Sequence, residues 1–510
     1  MFAHVAAVLA ALLILLVPPA RAGQEHLRIL HLNDFHGFAR PHQPPGAAEP
    51  LGGIAYLAAR VQALRAGQPT LLLAAGDMIQ GHNWANLTRG AAVIETMNAM
   101  GFDAMALGNH ELDFGQPALA ERAREARFPF LAANVEGLDP VRPYIVRTRG
   151  GVRVAVIGLA TPETPQATHP GNVAGLRFED PALTLRRLLP ELRRQSDLVV
   201  VLAHLGHAAE RRLAQEVEGI DVLIGGHSHT RVAEPPTIAG TLVAQAWEHG
   251  KALGVIDLTV EDGRVVGAVG RLEEIRPAGA PQPEVEAIVA RWDARAQEVL
   301  GQRVGEAGAD LDVRNARSAE TNFGNLVADL LRRTAGADAA LFNGGALRAG
   351  IRRGTVKAGD IYTALPFDNY LVAVRMSGRQ LLAALEHGVA AVERRDGRFP
   401  QVSGLSFSYA PAAAPGARVR QVRVGGAALE PARTYVVATL DFLAAGGDGY
   451  AGFGEAIRSG GDFESVGGAV SGSAIAYSDP GRWLRDLLIE YWQRQGTLAP
   501  GLEGRIVEVE

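Results

Sequence analysis

The sequence predicts a two-domain α/β protein, and three observations lead to this prediction. The chain has 510 residues, more than one hydrophobic core usually organises. Short apolar runs alternate with amphipathic stretches through the first half, as expected of strands and helices packed in layers. A segment rich in proline and glycine, 277–283 (PAGAPQP), then interrupts this alternation and separates the two halves.

The composition is that of a folded protein, and it excludes several classes. Apolar residues make up 47% and charged residues 21% of the chain, which is typical of globular proteins. The 50 Lys and Arg residues against 55 Asp and Glu give a net charge of −5, which argues against binding to a nucleic-acid polymer. There is no cysteine, so His, Asp, Glu or Asn would have to hold any metal ion.

The first 22 residues have the pattern of a secretory signal peptide. Residues 5–17 (VAAVLAALLILLV) are continuously apolar, a length too short to span a bilayer comfortably. Ala20 and Ala22 place small residues at the positions that define cleavage. We therefore expect removal of residues 1–22 and a periplasmic or secreted protein without a membrane anchor. The alternative is that this run forms a buried or interfacial helix.

The first half contains apolar runs that we expect to be buried strands, because they are short and rich in Val, Ile and Leu. These runs are Leu27–Leu32, Thr70–Ala75, Asp103–Leu107, Val152–Leu159, Asp197–Ala203 and Asp221–Ile224. The amphipathic stretches between them, which predict helices, include Gly53–Ala66, Ala91–Met100 and Gln116–Ala126. Residues 259–275 predict a hairpin, because an Asp-Gly pair separates two strand-like runs.

Beyond the proline-rich break, apolar residues at helical spacing predict one helix over Glu284–Leu300. We therefore expect a first domain at 23–276, a linker at 277–302 and a second domain at 303–510. The second half continues with mixed helices and strands, and Tyr409–Arg418 (YAPAAAPGAR) is expected to be a loop.

Histidines concentrate in the first half, where the predicted strands end in polar residues. Thirteen of the 14 histidines precede residue 250. Carboxylate, amide or imidazole side chains follow five of the predicted strands, at Asn33-Asp34-Phe35-His36, Gly76-Asp77, Gly108-Asn109-His110-Glu111, His204 and Gly225-Gly226-His227-Ser228-His229. The carboxyl ends of strands are where sites form in open α/β sheets. Each motif alone is compatible with ordinary turn chemistry, but the whole set in this order indicates a site.

These ligand types suit a pair of divalent metal ions, with Zn, Mn, Co and Mg all compatible. Two such ions about 3.5–4 Å apart need a bridging anionic oxygen, which a carboxylate can supply. Asp77 is the natural bridge, because it follows an apolar run and its charge would be costly to bury unless a metal neutralised it.

The motifs HLNDFHG, LLLAAGDMIQG, ALGNHELDFG, LAHLGH and IGGHSH resemble those of the calcineurin-like metallophosphoesterases. Together with the second half they resemble the 5′-nucleotidase/UDP-sugar hydrolase family, over roughly residues 27–508. The resemblance implies an N-terminal β-sandwich flanked by helices (αββα) and a C-terminal α/β domain that binds the substrate.

The resemblance also implies roles for individual residues in two metal sites. One ion would be held by Asp34, His36, Asp77 and His229, and the other by Asp77, Asn109, His204 and His227. His110 would be the catalytic histidine, donating to a phosphoryl oxygen or to the leaving group. Asp113 would fix the tautomer of His110, although the alternative is a turn or cap residue. Residues expected to lie outside the metal ligands are Glu111, His207, His31, His82 and His249.

Four segments of the second half combine Gly, Asn and Arg with apolar runs, namely SAETNFGNLVADLL, ALFNGGALRAGI, TALPFDNYLVAV and VVATLDFLAAGGDGY. Such loops can hold phosphate or ribose, but ordinary turn chemistry explains them equally well. By resemblance, Asn343 and Arg348 face the phosphate, Phe367 and Phe442 sandwich the base, and Asp448 accepts from ribose hydroxyls. Stacking of this kind tolerates any base. The helix Glu284–Leu300 would carry a hinge motion between the domains.

The chain departs from the family pattern at one position. Family members often have an arginine immediately before the Glu-x-Asn of the first of these segments, where this chain has Ala319. Arg317 and Arg314 lie nearby, and either of them is a candidate replacement.

These features predict an exported dimetal enzyme that releases phosphate from nucleoside 5′-monophosphates. Three alternatives share the fold: a UDP-sugar diphosphatase, a 2′,3′-cyclic nucleotide 2′-phosphodiesterase with 3′-nucleotidase activity, and a hydrolase of sulfur esters. A fourth alternative, a non-catalytic nucleotide-binding protein, predicts eroded metal ligands, whereas none is missing here.

Overall fold

A computed structural model describes residues 23–43, 48–458, 464–466 and 469–510. The predicted signal peptide, 1–22, lies outside these residues. Over the described part of the chain, we find no helix that is both long enough and apolar enough to cross a membrane.

Strands and helices alternate in the first half, as the sequence predicts. The strands are β1 (Glu25–Leu32), β2 (Pro41–His42), β3 (Leu51–Gly52), β4 (Thr70–Ala74), β5 (Ala104–Ala106), β6 (Phe130–Leu131), β7 (Val135–Glu136), β8 (Tyr144–Arg149), β9 (Val152–Ala160), β10 (Arg177–Phe178), β11 (Leu198–His204), β12 (Val222–Gly225), β13 (Thr237–Ile238), β14 (Thr241–Gln245), β15 (Ala252–Glu261) and β16 (Arg264–Glu274). The helices are α1 (Ile54–Arg65), α2 (Asn83–Asn86), α3 (Ala91–Met100), α4 (Gly115–Glu125), α5 (Thr164–Ala167), α6 (Pro181–Gln195) and α7 (His207–Glu216).

Two six-stranded sheets pack face to face in the first domain, in the orders β16-β15-β1-β4-β5-β6 and β13-β14-β12-β11-β9-β8. The layer between them is apolar and includes Leu27, Leu71, Val156 and Val200. Further apolar clusters join the outer face of each sheet to its helices. The predicted αββα sandwich is therefore confirmed.

Parallel pairing explains why the polar strand ends meet. β1, β4 and β5 are parallel neighbours in one sheet, and β9, β11 and β12 are parallel neighbours in the other. Within each sheet the carboxyl ends therefore lie at one edge. The two edges meet, because Asp34, after β1, accepts from the backbone N–H of His227, after β12. The hairpin of β15 and β16 turns at Asp262 and Gly263, whose φ values of 50° and 72° suit the tight turn that an Asp-Gly pair favours.

The second half is a separate α/β assembly. Its strands are β17 (Arg303–Ala307), β18 (Ala339–Asn343), β19 (Gly354–Lys357), β20 (Tyr370–Ser377), β21 (Pro400–Ser403), β22 (Leu405–Tyr409), β23 (Val419–Val424), β24 (Ala427–Ala428), β25 (Thr434–Leu440), β26 (Glu464–Val466), β27 (Ala469–Ser471), β28 (Ile475–Trp483), β29 (Thr497–Leu498) and β30 (Ile506–Glu508). The helices are α8 (Pro283–Leu300), α9 (Asn322–Ala335), α10 (Ala358–Ala364), α11 (Gly378–Val389), α12 (Asp441–Ala444), α13 (Ala451–Arg458) and α14 (Leu484–Gln495).

A five-stranded sheet in the order β21-β18-β25-β20-β28 has an apolar cluster on each face. Helices α9 and α14 cover one face, while α11 and α13 cover the other. The loop predicted over Tyr409–Arg418 lies between β22 and β23, except that Tyr409 is the last residue of β22. The segments singled out in the sequence follow β18 and β25 or precede α9 and β20, so this domain also collects its polar loops around one sheet.

Helix α8 joins the two domains and rests on the first. The side chain of Gln282 accepts from the backbone N–H of Val285 and caps the helix. Val285 and Val289 are buried in the apolar cluster that covers the first sheet, and Trp292 donates from Nε1 to Glu95 at 2.8 Å. Within the segment predicted as a linker, Pro283–Leu300 is a helix that packs on the first domain, while the role of this segment as linker and hinge stays a prediction.

Candidate active site

The polar strand ends of the first domain converge into two groups of candidate metal ligands. Within each group the ligand atoms all lie within 4.8 Å of one another. The groups are Asp34, His36 and His229, and Asp77, His204 and His227. They match the two ligand sets predicted from the sequence, except that Asp77 is in one group only and Asn109 is in neither.

Asp77 lies between the two groups. Its Oδ2 is 3.1 Å from Nε2 of His204 and 3.9 Å from Nε2 of His36, so one oxygen atom faces a histidine of each group. The other oxygen, Oδ1, accepts from the backbone N–H of His110 at 3.0 Å. This geometry fits a carboxylate that bridges two cations.

Hydrogen bonds to backbone carbonyls orient the histidines toward the site. Nδ1 of His36 lies 2.8 Å from the carbonyl of Gln80, and Nδ1 of His204 lies 2.7 Å from that of Ala75. A carbonyl only accepts, so in the neutral ring Nδ1 carries the proton and Nε2 presents a lone pair. These lone pairs point at other acceptors, since Nε2 of His36 is 3.2 Å from Nε2 of His229.

Facing acceptors repel each other unless positive charge lies between them, which a divalent metal ion supplies. The pKa of His204 also indicates that positive charge is favoured at this position. Burial lowers this pKa, but the neighbouring Asp77 carboxylate outweighs burial and raises it to about 10. Carboxylate and imidazole donors of this kind fit Zn, Mn, Co or Mg.

Two further observations support the same ligand set. Oδ1 of Asn109 is buried and makes no hydrogen bond within the described residues, as expected of an amide oxygen that would bind a metal. Asp34 is held in place by Asn33, which donates to Oδ2 at 2.6 Å, and by the backbone N–H of His227 at 3.1 Å. All seven candidate ligands therefore lie at this edge of the sandwich.

The backbone at the site is strained. Positive φ values occur at Asp34, His36, Asp77, His227 and His229, at 50°, 50°, 55°, 75° and 52°. Each such residue costs on the order of 1–3 kcal/mol, and strain of this kind clusters at functional sites. Glycine is required beside Asp77, because a Cβ at Gly108 would lie 2.1 Å from Oδ1 of Asp77.

Buried carboxylates brace the ligand loops. Glu111 accepts from the backbone N–H groups of Asp77, Met78 and Gly108 at 2.7–2.8 Å, so backbone donors occupy both of its oxygens. Glu210 accepts from the N–H of Gly226 at 3.0 Å, and burial raises its pKa to about 8. Glu210 was not predicted from the sequence, although its spacing with Leu213 and Ala214 on the buried face of α7 was a signal.

Glu248 was also missed, and it orients His229. Its carboxylate bonds Nδ1 of His229 on one side and the ammonium of Lys251 on the other. Burial raises the pKa of Glu248, but these contacts, with the bond to His229 as the largest, outweigh burial and hold the pKa well below its usual range. No motif marks this residue, because its partners lie in loops that meet only in the folded chain.

The remaining histidines have other surroundings. His31 is buried inside its sheet against Gly254, and burial lowers its pKa to about 3. His249 stacks on Phe38 with ring centroids 3.8 Å apart, and His82 lies 4.9 Å from the same ring. Of these, His249 belongs to a third group with His229 and Glu248.

His110 and Asp113 form a hydrogen-bonded pair beside the ligand groups. Nδ1 of His110 lies 2.6 Å from Oδ2 of Asp113. Burial lowers the pKa of His110, but Asp113 and then Asp77 outweigh burial and raise it to about 9. The pair thus favours an imidazole that carries a proton on Nε2, the ring nitrogen that Asp113 leaves available.

A cavity of about 610 Å³ joins the two domains. Residues of the first domain that line it include Asn109, His110 and His227, and those of the second domain include Asn343, Arg348, Phe367, Phe442 and Asp448. All five candidate substrate residues therefore lie in the same cavity as the catalytic candidate.

Contacts inside the cavity show that His110 lies close to the candidate substrate residues of the second domain. The ring of Phe367 is nearly parallel to that of His110, with centroids 6.3 Å apart and an angle of 20°. The guanidinium of Arg348 lies 5.8 Å from the centre of the Phe367 ring. Asn343 donates from Nδ2 to Oδ2 of Asp448 at 2.7 Å, and its own buried Oδ1 makes no hydrogen bond within the described residues.

Two arginines lie near Ala319 in the sequence, the position that departs from the family pattern, and their surroundings differ. Arg317 lines the cavity. Arg314 instead pairs with Asp312 at 2.7 Å and is 85% exposed. The carbonyl of Ala319 accepts from Gln401 at 2.8 Å. Of the two nearby arginines, Arg317 is therefore the one placed to replace the missing side chain.

The chain matches two family models. The calcineurin-like phosphoesterase model matches residues 27–231, and the model of the 5′-nucleotidase C-terminal domain matches residues 299–455. Together they cover most of both domains described above.

Comparison with individual proteins also finds nucleotidases and a nucleotide phosphoesterase. Human 5′-nucleotidase is 32% identical over 84% of this chain and 84% of its own length. The trifunctional nucleotide phosphoesterase of Bacillus subtilis is 30% identical over 96% of this chain, which spans 35% of that longer protein. The crystal structure of a 5′-nucleotidase precursor from Thermus thermophilus superposes with a TM-score of 0.79 at 33% identity, covering 95% of this chain and 99% of that one.

The family models, the sequence identity and the fold therefore agree with the ligand groups at the sheet edge. The chain belongs to the 5′-nucleotidase family of calcineurin-like phosphoesterases, and it is a metal-dependent phosphoester hydrolase.

Proposed function

We propose that the protein is an exported two-metal phosphohydrolase that releases phosphate from nucleoside 5′-monophosphates. One observation carries the proposal: a single cavity is lined by His110 and candidate metal ligands on one side and by Phe367, Phe442 and Asp448 on the other. Such a cavity can hold the phosphate at the metal ligands while the base and sugar contact the second domain.

In this proposal two divalent ions, drawn from Zn, Mn, Co or Mg, occupy the two ligand groups. One would be held by Asp34, His36, Asp77 and His229, and the other by Asp77, Asn109, His204 and His227. Ions bound there would supply Lewis-acid polarisation of the phosphoryl oxygens and a water of lowered pKa.

The protein's own groups then act on the substrate. Asp113 holds the proton on Nδ1 of His110, which leaves Nε2 to donate to a phosphoryl oxygen or to the departing 5′-oxygen. The Asp113 carboxylate stabilises the charged imidazolium before the proton moves. Arg348 and Arg317 supply guanidinium groups for the phosphate from the opposite wall of the cavity.

The second domain recognises the nucleoside. Phe367 and Phe442 offer aromatic faces for the base, and stacking on such faces accepts purines and pyrimidines alike. Asp448 accepts from ribose hydroxyls, and its bond to Asn343 orients the carboxylate. The 6.3 Å between the rings of Phe367 and His110 keeps base and phosphate sites within the span of one nucleotide.

Removing one aromatic face should weaken nucleotide binding selectively. Phe442→Ala is expected to raise KM for AMP by about 5–150-fold, which corresponds to about 1–3 kcal/mol of stacking. Hydrolysis of p-nitrophenyl phosphate, which has no base, should be nearly unchanged. Steady-state kinetics on both substrates check this, and equal losses on the two would contradict the sandwich.

Arg317 should contribute to phosphate binding in place of the arginine missing at Ala319. Arg317→Ala is expected to raise KM for AMP by about 10–100-fold, since a charged hydrogen bond is worth about 1.5–3 kcal/mol. Arg314→Ala is the matched control, because this arginine of the same loop pairs with Asp312 outside the cavity. Equal KM values for the two variants would show that Arg317 does not contact substrate.

We also propose export, because residues 5–17 form the apolar core of a signal peptide and Ala20 and Ala22 mark a cleavage site. N-terminal sequencing of the mature protein, isolated from the periplasm or the medium, should begin at Gly23. An uncleaved chain retained in the cytoplasm would refute the export step and leave the chemistry of the site untouched.

A substrate panel tests the proposed function against its alternatives. Purified protein loaded with manganese or zinc is given AMP, UMP, UDP-glucose, 2′,3′-cyclic AMP and 3′-AMP, and released phosphate is measured. We expect the highest kcat/KM for the 5′-monophosphates. A preference for UDP-glucose or for the cyclic nucleotide would replace this proposal with the corresponding alternative.

A further inference from the structure

Residues 164–173, here called the bridging segment, lie between the His110–Asp113 pair and the nucleotide loops of the second domain. The segment contains helix α5 and a short helical turn over Pro170–Val173. Helix α5 packs against residues 447–449 of the second domain, where Asp448 lies. Two adjacent residues of the segment, Thr168 and His169, line the cavity.

Thr168 completes the hydrogen bonding of Asp113. Its hydroxyl is buried, with 2% of the residue exposed, and donates to Oδ1 of Asp113 at 2.6 Å. The other oxygen, Oδ2, bonds Nδ1 of His110 at 2.6 Å, so each carboxylate oxygen has one side-chain partner. Asn172 donates to the backbone carbonyl of Asp113 at 2.9 Å, which ties the same loop to the bridging segment.

This arrangement fixes the plane of the Asp113 carboxylate. With Thr168 in place, rotation of the carboxylate would break two buried hydrogen bonds, and a buried acceptor left unpaired is costly. Without the hydroxyl, only the bond to His110 would resist rotation. The orientation of His110 therefore depends on Thr168, which belongs to neither ligand group.

His169 links the same segment to the second domain. Nδ1 of His169 accepts from the backbone N–H of Gly171 at 3.1 Å, so the ring proton lies on Nε2. That nitrogen is 3.5 Å from Oδ2 of Asp441, which immediately precedes Phe442. The Oδ1 atom of Asp441 accepts from the N–H of Tyr370 at 3.0 Å, so the carboxylate is fixed within the second domain.

We propose that Thr168 is a positioning residue for the His110–Asp113 pair, and that His169 couples its position to the docking of the second domain at Asp441. The proposal rests on the role given above to His110. Under this proposal, a nucleotide held by Phe442 and Asp448 would help to orient the His110–Asp113 pair. The reason is that docking of the second domain brings Asp441 against His169, which is the neighbour of Thr168 in the chain.

Thr168→Val, which keeps the shape but removes the hydroxyl, tests the first half. We expect kcat to fall about 10–100-fold, as for other hydrogen-bond partners that orient a functional histidine, on both AMP and p-nitrophenyl phosphate. KM and metal content should stay at the wild-type values, and Thr168→Ser should restore kcat. Thr184→Val is the matched control, because Thr184 is also a buried threonine whose hydroxyl donates to a carboxylate, at 3.2 Å to Glu179, and neither residue lines the cavity.

His169→Ala and Asp441→Asn test the coupling, the latter keeping an oxygen for the Tyr370 N–H. Each variant should lower kcat on AMP while leaving p-nitrophenyl phosphate hydrolysis unchanged, and the double variant should lose no more than either single one. Additive losses, or equal losses on both substrates, would overturn the coupling. An unchanged kcat in Thr168→Val, or no recovery with Ser, would overturn the positioning role.

The two substrates separate this inference from the proposed function. If the wild-type protein hydrolysed p-nitrophenyl phosphate but no nucleoside monophosphate, the proposed function would fail while Thr168→Val still tested the positioning role. If AMP were hydrolysed well and Thr168→Val matched the wild type, the proposed function would stand and the positioning role would fall.

Discussion

Replacing Asp77 by alanine is expected to empty both proposed metal sites and to reduce phosphate release to background. The reason is geometric, because Oδ2 of Asp77 faces His204 at 3.1 Å and His36 at 3.9 Å, so this one residue serves both ligand groups. A dimetal site holds about two ions per chain. Elemental analysis of the purified variant should therefore show a much lower metal content than that of the wild type. Removing a ligand that serves only one group, as in His36→Ala, should reduce metal content and turnover less.

Asp103→Ala is the matched control for this prediction. Asp103 precedes β5, at the opposite end of the same sheet, where its carboxylate pairs with Arg149 at 2.6 Å and accepts from the N–H of Leu72 at 2.9 Å. Its removal should leave the metal content unchanged. If Asp77→Ala kept two ions and normal turnover, the bridging role would be wrong.

Replacing His110 by alanine should lower kcat by about 10²–10⁴-fold, the usual range for a general acid or a group that stabilises developing charge. Metal content should not change, because His110 belongs to neither ligand group. The measurement is kcat for AMP together with metal analysis of the same preparation. Asp113→Asn should give a smaller loss in the same direction, since the imidazole is then less well oriented.

His26→Ala controls for the loss of a histidine as such, because His26 lies exposed on the far end of β1. It should match the wild type in kcat and metal content. A His110→Ala protein that lost an ion would show that this residue is a ligand, and its catalytic assignment would then have to be withdrawn.

The fold was predictable because local and global signals agree in this chain. The apolar runs that predicted strands are β1, β4, β5, β9, β11 and β12, each within two residues of the expected bounds. The Asp262-Gly263 pair marked the hairpin, and the spacing of Val285 and Val289 marked α8. Parallel pairing brings the strand ends together within each sheet, and the packing of the two sheets brings the two edges together, since each ligand group combines residues of both.

The candidate ligands were visible because each follows a strand directly. The residues that support them were not, because their partners are remote in sequence. Glu210 braces Gly226 and Thr168 holds Asp113, 55 residues away along the chain. The contact of His169 with Asp441 depends on how the two domains dock, and neither hydrophobic periodicity nor a motif reports that.

Some features of the second domain were likewise beyond the sequence. The bond from Asn343 to Asp448 joins residues assigned separately to phosphate and ribose. The choice between Arg317 and Arg314 needed the structure, because it depends on whether a side chain enters the cavity or pairs with Asp312.

The most direct test of the account is a crystal structure with manganese and a non-hydrolysable AMP analogue, using the anomalous signal to locate the metal. We predict two anomalous peaks, one in each ligand group with Asp77 between them, the phosphoryl group beside His110, and the base between Phe367 and Phe442. A single peak or none at these groups, or a base bound outside the cavity that joins the domains, would contradict the account.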